Sequence, residues 1–194
     1  MSIIKSISFS QDEILQNIVA LHTGPIQCDV TFGSGCFYKK GLARPEFCFD
    51  LEPRIPGVVQ ADVRRLPLQE ASIRSVMFDP PFMMRTGPGP RLKERFGQKV
   101  GTMRDLHNFY FLAMKEIHRV LFPAGWLVFK CQDGVLSGVN NFTHIAIFEM
   151  AWSMGFKPVD LFILLAKHRM TDPTHKRQVH ARKFHSYFWV FKKL

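Results

Sequence analysis

Ser72-Ile73-Arg74-Ser75-Val76-Met77-Phe78-Asp79-Pro80-Pro81-Phe82 is the stretch from which the fold is read. Ser72 to Phe78 has the length and the apolar, partly β-branched content of a buried strand, and it breaks off at two prolines that cannot continue a ladder. Its neighbours decide what kind of sheet holds it. Upstream, strand-like runs fall at Ile26 to Thr31, Glu46 to Leu51 and Gly57 to Ala61; downstream, one falls at Gly125 to Cys131. Between Phe82 and that last run, Leu106, Phe109, Leu112, Ala113, Ile117, Val120 and Leu121 recur at helical spacing. They predict a helix over Asp105 to Leu121, ended by Pro123, Ala124 and Gly125 before the next strand. Helices are also predicted over Asp12 to Leu21, with Ser10 as N-cap and Gly24-Pro25 as the stop, and over Asn141 to Met154, stopped by Gly155.

Strands that alternate with helices imply a parallel sheet, because parallel neighbours need crossover connections and the crossover helices cover both faces. The end of the chain departs from this. Val159 to Ala166 and Phe184 to Phe191 are strand-like with no helical run between them, so they should pair antiparallel, joined by the basic loop His168 to Lys183. The expected fold class is therefore α/β: a mostly parallel, seven-stranded sheet with a C-terminal antiparallel strand pair and helices on both faces. Phe109, Leu112, Ile117, Phe148, Met150 and Trp152 are expected in the core.

A chain of 194 residues, 46% hydrophobic and 22% charged, suits one domain, 1–194, with a substantial core. Lys and Arg number 26 against 16 Asp and Glu, an excess of ten positive charges that suits a polyanionic partner, nucleic acid first, and excludes an acidic disordered chain. Cys28, Cys36, Cys48 and Cys131 form no CxxC pair and read as reduced core residues. No stretch is apolar enough for a signal peptide or a membrane span, so a soluble, cytoplasmic protein of a reducing compartment is expected. His168, His175, His180 and His185 lie close together without the spacing of a zinc site, and no metal is expected.

The chemistry sits at strand ends. Asp79-Pro80-Pro81-Phe82 lies at the carboxyl end of its strand, where open α/β sheets bind ligands. Modifying an exocyclic amine requires an acceptor for its N–H groups, since the nitrogen lone pair is drawn into the ring and must be directed at the electrophile. Asp79 can be that acceptor, the prolines fix the backbone so that a carbonyl can assist, and Phe82 can stack on a base. Used structurally, the same residues would only end a strand. Asp29-Val30-Thr31-Phe32-Gly33-Ser34-Gly35 closes the first strand, with a short helix starting near Cys36; a glycine turn there lets the backbone approach an adenosyl cofactor. Asp50 ends the next strand at the distance suited to ribose hydroxyls, and Asp62-Val63 follows the one after, suited to an adenine edge.

At these residues the sequence resembles the S-adenosylmethionine-dependent DNA amino-methyltransferases. DVTFGSG is similar to their cofactor motif DPFxGSG, and DPPF to their catalytic (D/N/S)PP(Y/F/W), with Asp in first position as in the adenine-specific type. His118 to Val128 resembles their RVLKPGG block, and His185 to Lys192 their terminal HEYxLVFxK strand, so the likeness spans nearly the whole chain. It implies a Rossmann-like methyltransferase fold and S-adenosyl-L-methionine as cofactor. Asp29, Phe32, Gly33 and Gly35 would line its methionine end, Asp50 its ribose, and Asp62 and Val63 its adenine, while Asp79, Pro80, Pro81 and Phe82 hold the target amine. Transfer would be direct, with the base drawn out of its stack and no covalent cysteine intermediate.

Two departures stand out. Val30-Thr31 replaces the usual proline of the cofactor motif, and no insertion is long enough for a separate target-recognition domain. The candidate substrate contacts are therefore loops: Met83 to Thr102, with Arg85, Arg91, Lys93, Arg95 and Lys99, and His168 to Lys183, with Arg169, Lys176, Arg177, Arg182 and Lys183. Three readings stay open: methylation of adenine in DNA, which leads; methylation of a base amine in RNA; and a catalytically silent nucleic-acid-binding subunit of the same fold. A dimer or a specificity subunit is left open.

Overall fold

The strand read from Ser72 runs over Ile73–Phe78 and lies inside an eight-stranded sheet. The computed structural model describes residues 3–82, 102–136, 138–167 and 178–194. In chain order the strands are β1 (Ile7–Ser8), β2 (Cys28–Asp29), β3 (Phe47–Asp50), β4 (Val59–Gln60), β5 (Ile73–Phe78), β6 (Leu121–Cys131), a separate hairpin of β7 (Gly134–Leu136) and β8 (Val139–Asn141), then β9 (Phe156–Leu165) and β10 (His185–Lys193). The large sheet has the order β1-β9-β10-β6-β5-β2-β3-β4, and β10 alone runs against its neighbours. This is the expected Rossmann-like sheet, mostly parallel with a C-terminal antiparallel pair, plus one two-residue edge strand.

Alternation along β5 and β6 divides the core. Val76, Phe78, Leu127 and Phe129 face one way, into a cluster with Tyr110, Ala113, Met114 and Ile117 of α2 (Met103–Val120) and with Ile147 and Ala151 of α3 (Thr143–Ser153). Met77 and Val128 face the other way and meet Ile14, Leu15 and Ile18 of α1 (Gln11–Ile18), together with Phe162, Phe188 and Val190. Helices thus cover both faces. Burying Val76, Met77 and Phe78 completely contributes about 1.5–3 kcal/mol for each side chain, which is why this strand tolerates no register slip.

The helix ends follow local rules. Ser10 accepts from the Glu13 backbone N–H, and Asp12 and Glu13 sit in the favourable first turn of α1. Thr102 and Asp105 form a capping box, which starts α2 at Met103, two residues before the expected Asp105. Pro123 to Gly125 make an irregularity inside β6, not a loop ahead of it. Within the block read as His118 to Val128, Arg119 donates to the Leu68 carbonyl at 2.9 Å while Glu116 accepts from the Leu66 N–H at 2.8 Å, pinning the segment after β4 to α2.

Three residues expected in the core are not there: Leu112, Phe148 and Trp152 are exposed. The helix α3 is apolar on every side, so its sequence does not reveal which face is turned inward. Cys28, Cys48 and Cys131 are buried, whereas Cys36 is exposed; all four are free thiols. Among the described residues no helix is long and apolar enough to cross a membrane.

Candidate active site

Strand order reverses between β2 and β5: the chain passes from β2 to β3 and β4 on one side, and from β5 to β6 on the other. A crevice opens beyond the carboxyl ends of the strands at such a point. The register Asp29↔Met77 sets the turn after β2 beside the turn after β5, so the two motifs picked out in the sequence are neighbours. Thr31 joins them. Its hydroxyl accepts from the Asp79 backbone N–H at 2.7 Å, while its own N–H donates to Asp29 Oδ1 at 2.8 Å. The departure at Val30-Thr31 thus supplies a tie between the two loops.

Asp29 is buried, and its second oxygen accepts from the Tyr38 hydroxyl at 2.7 Å. Burial pushes its carboxyl up to about 7, against the lowering effect of the Thr31 and Tyr38 hydrogen bonds and with a further upward push from Asp79 and Asp50. Asp50 accepts from the Gly33 N–H at 2.7 Å and from the Glu52 N–H at 2.9 Å, so this carboxylate shapes the glycine turn. Gly33 and Gly35 hold φ at 55° and 64°, the left-handed region, and a Cβ on Gly35 would stand 2.8 Å from the Phe32 ring. Phe32 stacks on Tyr38 with centroids 5.3 Å apart, and the Arg44 guanidinium lies 5.0 Å over it. Cys36–Tyr38 form the short helix expected after the turn.

Asp62 turns to Arg64, accepting from its backbone N–H and its guanidinium at 2.9 Å on Oδ1 and at 2.5 Å on Oδ2. The Arg64 hydrogen bonds are the main reason its carboxyl lies below the usual range. Val63 is buried in the cluster beneath α2. Pro80 is buried, and the Pro81 carbonyl accepts from the Tyr110 hydroxyl at 2.6 Å. Burial holds the Tyr110 phenol well above its ordinary range, so it donates as a neutral group. Phe82 lines a cleft with Met103, Gly134, Val135, Leu136, Asn141 and Thr143.

Sequence reasoning missed two features at this end of the sheet. Lys130 follows Phe129, the partner of Phe78, so the register brings it beside Asp79; its Nζ lies 3.4 Å from Asp79 Oδ2 and 2.9 Å from Gln11 Oε1. A lysine at the end of the apolar run Leu127-Val128-Phe129 was the available signal. Just beyond it, buried Asp133 bonds His144 Nδ1 at 2.8 Å, and His144 stacks on Tyr187, whose hydroxyl meets His185 Nε2 at 2.9 Å. Arg85, Arg91, Lys93, Arg95 and Lys99 of the first basic loop lie outside the described residues, as do Arg169, Lys176 and Arg177 of the second.

Can these residues hold the cofactor that the sequence resemblance implies? Two coupled carboxylates, Asp29 and Asp50, gather at one end of the sheet beside a turn that only glycine can make, with Asp79 next to Asp29. That donor set fits a cationic group carrying ribose hydroxyls. Asp50 retains lone pairs beyond its two backbone bonds, whereas Asp62 would have to share with Arg64.

No protein-family model and no curated protein matches the sequence. Solved structures do match. The cytosine-N4-specific PvuII DNA methyltransferase aligns over 66% of this chain and 45% of its own, with 19% identity and a TM-score of 0.50. TrmN from Thermus thermophilus aligns over 96% of this chain and 50% of its own, at 15% identity and a TM-score of 0.56. The 1,6-didemethyltoxoflavin-N1-methyltransferase of Burkholderia thailandensis, solved with bound 1,6-didemethyltoxoflavin and S-adenosylhomocysteine, aligns over 91% of this chain and 75% of its own, at 16% identity and a TM-score of 0.55. This chain spans about half the length of the first two. At these identities the likeness shows the fold, that of Rossmann-like methyltransferases.

Proposed function

We propose that this chain is an S-adenosylmethionine-dependent methyltransferase that modifies an exocyclic amino group of a nucleic-acid base, adenine in DNA first. The observation that carries the reading is the tie from Thr31 to Asp79, which fuses a glycine turn suited to the cofactor with an amine-binding tetrapeptide at the switch point of the sheet. Asp29, Phe32, Gly33 and Gly35 would hold the methionine end, Asp50 the ribose, and Asp62 and Val63 the adenine. Bound S-adenosylmethionine supplies a methyl group already activated by its sulfonium charge.

The protein's own work is positioning and electrostatics. Asp79 accepts an N–H of the target amine and turns the nitrogen lone pair out of the ring plane. The Pro81 carbonyl accepts from Tyr110, and the Pro80 carbonyl is assigned to the second N–H. Phe82 packs on the base, in a cleft that Val135 and Leu136 also line. On methylation, with the sulfonium S–C bond broken and S-adenosylhomocysteine as the leaving group, the amine nitrogen would become cationic facing the Asp79 carboxylate and would lose its proton to solvent.

The reading takes adenine because Asp stands first in the tetrapeptide, and it takes nucleic acid because the chain carries ten excess positive charges. The PvuII enzyme acts on the N4 amine of cytosine, which sets the same geometric problem. We further propose that the substrate surface is built from loops of the one domain, among them Arg85, Arg91, Lys93 and Arg95. The test is to incubate the protein with labelled S-adenosylmethionine and matched unmodified DNA and RNA, then identify the labelled nucleoside. N6-methyladenine in DNA supports the full reading, and label in RNA or on cytosine moves it to that substrate. Cofactor binding without transfer to any polymer would leave the silent-subunit reading.

A further inference from the structure

We propose that Lys130 is the positioning residue of the site, an ammonium that aims the Asp79 carboxylate at the target amine and offsets the negative charge gathered around it. The inference rests on the methyltransferase reading above and adds to it a residue that no motif contains.

The placement of Lys130 is costly. Its side chain is 12% exposed and lies on the α1 face of β6, with Nζ 5.0 Å from the centroid of the Phe37 ring and 5.5 Å from those of Phe82 and Phe188. An ammonium among aromatic rings gives up most of its hydration, and an ion pair in such a place rarely repays that loss against a well-packed apolar residue. Stability therefore does not explain it. Its contacts do, because they join the tetrapeptide to the elements around it: Asp79 and Phe82, Phe37 of the helix after the glycine turn, Gln11 of α1 and Phe188 of β10. Gln11 Oε1 accepts from the same ammonium at 2.9 Å and restrains it beside Asp79.

Asp79 needs such a partner. To accept an N–H it must be a carboxylate, because a protonated carboxyl would donate instead. Among the described residues, the charged and titratable groups coupled to it are Asp29 from β2, the Cys131 thiol and Lys130 from β6, and the neutral Tyr110 phenol from α2. The Asp29 carboxyl favours protonation of Asp79, and Lys130 is an opposing charge among the described residues. In this role Lys130 acts through Asp79 and needs no contact with substrate.

The experiment compares Lys130→Met, Lys130→Gln and Lys130→Arg on the polymer that the wild type methylates. Lys130→Met and Lys130→Gln should lower kcat by about tenfold to a hundredfold, the range for losing one hydrogen bond to a charged group, with KM and cofactor affinity nearly unchanged. Lys130→Arg should restore part of the loss. Equal activity of the Gln and Arg variants, or a wild-type kcat in Lys130→Met, overturns the inference. A second readout needs no turnover: with 13C-labelled aspartate carboxyls, the Asp79 resonance should titrate at higher pH in Lys130→Gln than in the wild type. An unmoved titration overturns the inference too, whereas a wild type that transfers no methyl to any polymer overturns the parent reading and leaves this second readout to decide.

Discussion

Thr31→Val is the sharpest probe of the tie between the two motifs. Valine matches threonine in shape and keeps the backbone N–H that Asp29 accepts, so the substitution removes one thing, the acceptor for the Asp79 N–H at 2.7 Å. That N–H sits in a partly buried loop, and leaving it unpaired costs about 1–2 kcal/mol. For a chain of 194 residues each kcal/mol shifts Tm by about 2–4 °C, so Tm should fall by about 2–8 °C. If the loosened loop loses the same free energy in orienting Asp79, kcat falls by about 5- to 30-fold while cofactor affinity stays near the wild-type value. Thr31→Ser, which keeps the hydroxyl, should recover most of both losses. The assays are a thermal melt and single-turnover methyl transfer, run on all three proteins. Unchanged Tm and unchanged turnover in Thr31→Val would refute the reasoning, because the hydroxyl would then be a bystander.

Other outcomes follow from the same geometry. With its carboxyl pushed up to about 7, folded Asp29 keeps a proton that the unfolded chain loses near pH 4, so stability of the ligand-free protein should fall as pH rises through this window, and Asp29→Asn should flatten that slope in denaturant titrations. A cationic ligand beside Asp29 favours its ionised form, so cofactor binding should tighten as pH rises from about 6 to about 8 and should lose that dependence in Asp29→Asn. Asp50→Ala should weaken cofactor binding by about 1–3 kcal/mol by isothermal titration, since it removes a charged acceptor and frees Gly33; an unchanged dissociation constant would move the ribose contact elsewhere. Replacing Arg91, Lys93 and Arg95 together by Ala should flatten the slope of log affinity for duplex DNA against log salt by up to about two to three units, because each phosphate contact carries about 0.9. An unaltered slope would point to the basic residues between His168 and Lys183.

What the sequence disclosed was local. The apolar run and prolines of Ser72 to Phe82, the cap at Ser10 and the glycines at 33 and 35 each act within a few residues, and each is found where the sequence places it. Whatever depended on pairing stayed hidden. Lys130 reads as an ordinary strand-end lysine until the register Phe78↔Phe129 brings it against Asp79, and Thr31 reads only as a missing proline until the loop after β5 arrives beside it. Ile7–Ser8 and the hairpin of Gly134–Leu136 with Val139–Asn141 are too short to carry a period, and the uniformly apolar helix Thr143–Ser153 hides its outward side, so Phe148 and Trp152 were assigned to the core.

The central claim is that Asp79 holds an amine for methylation within a cofactor site that does not need it. The most direct test measures cofactor binding and methyl transfer on the same preparations of the wild type and Asp79→Ala, with the modified nucleoside identified by mass spectrometry. The account predicts that Asp79→Ala binds S-adenosylmethionine within a few-fold of the wild type, about 1 kcal/mol or less, and makes no detectable methylated base where the wild type makes N6-methyladenine. Near wild-type transfer by Asp79→Ala, or loss of cofactor binding together with transfer, would contradict it.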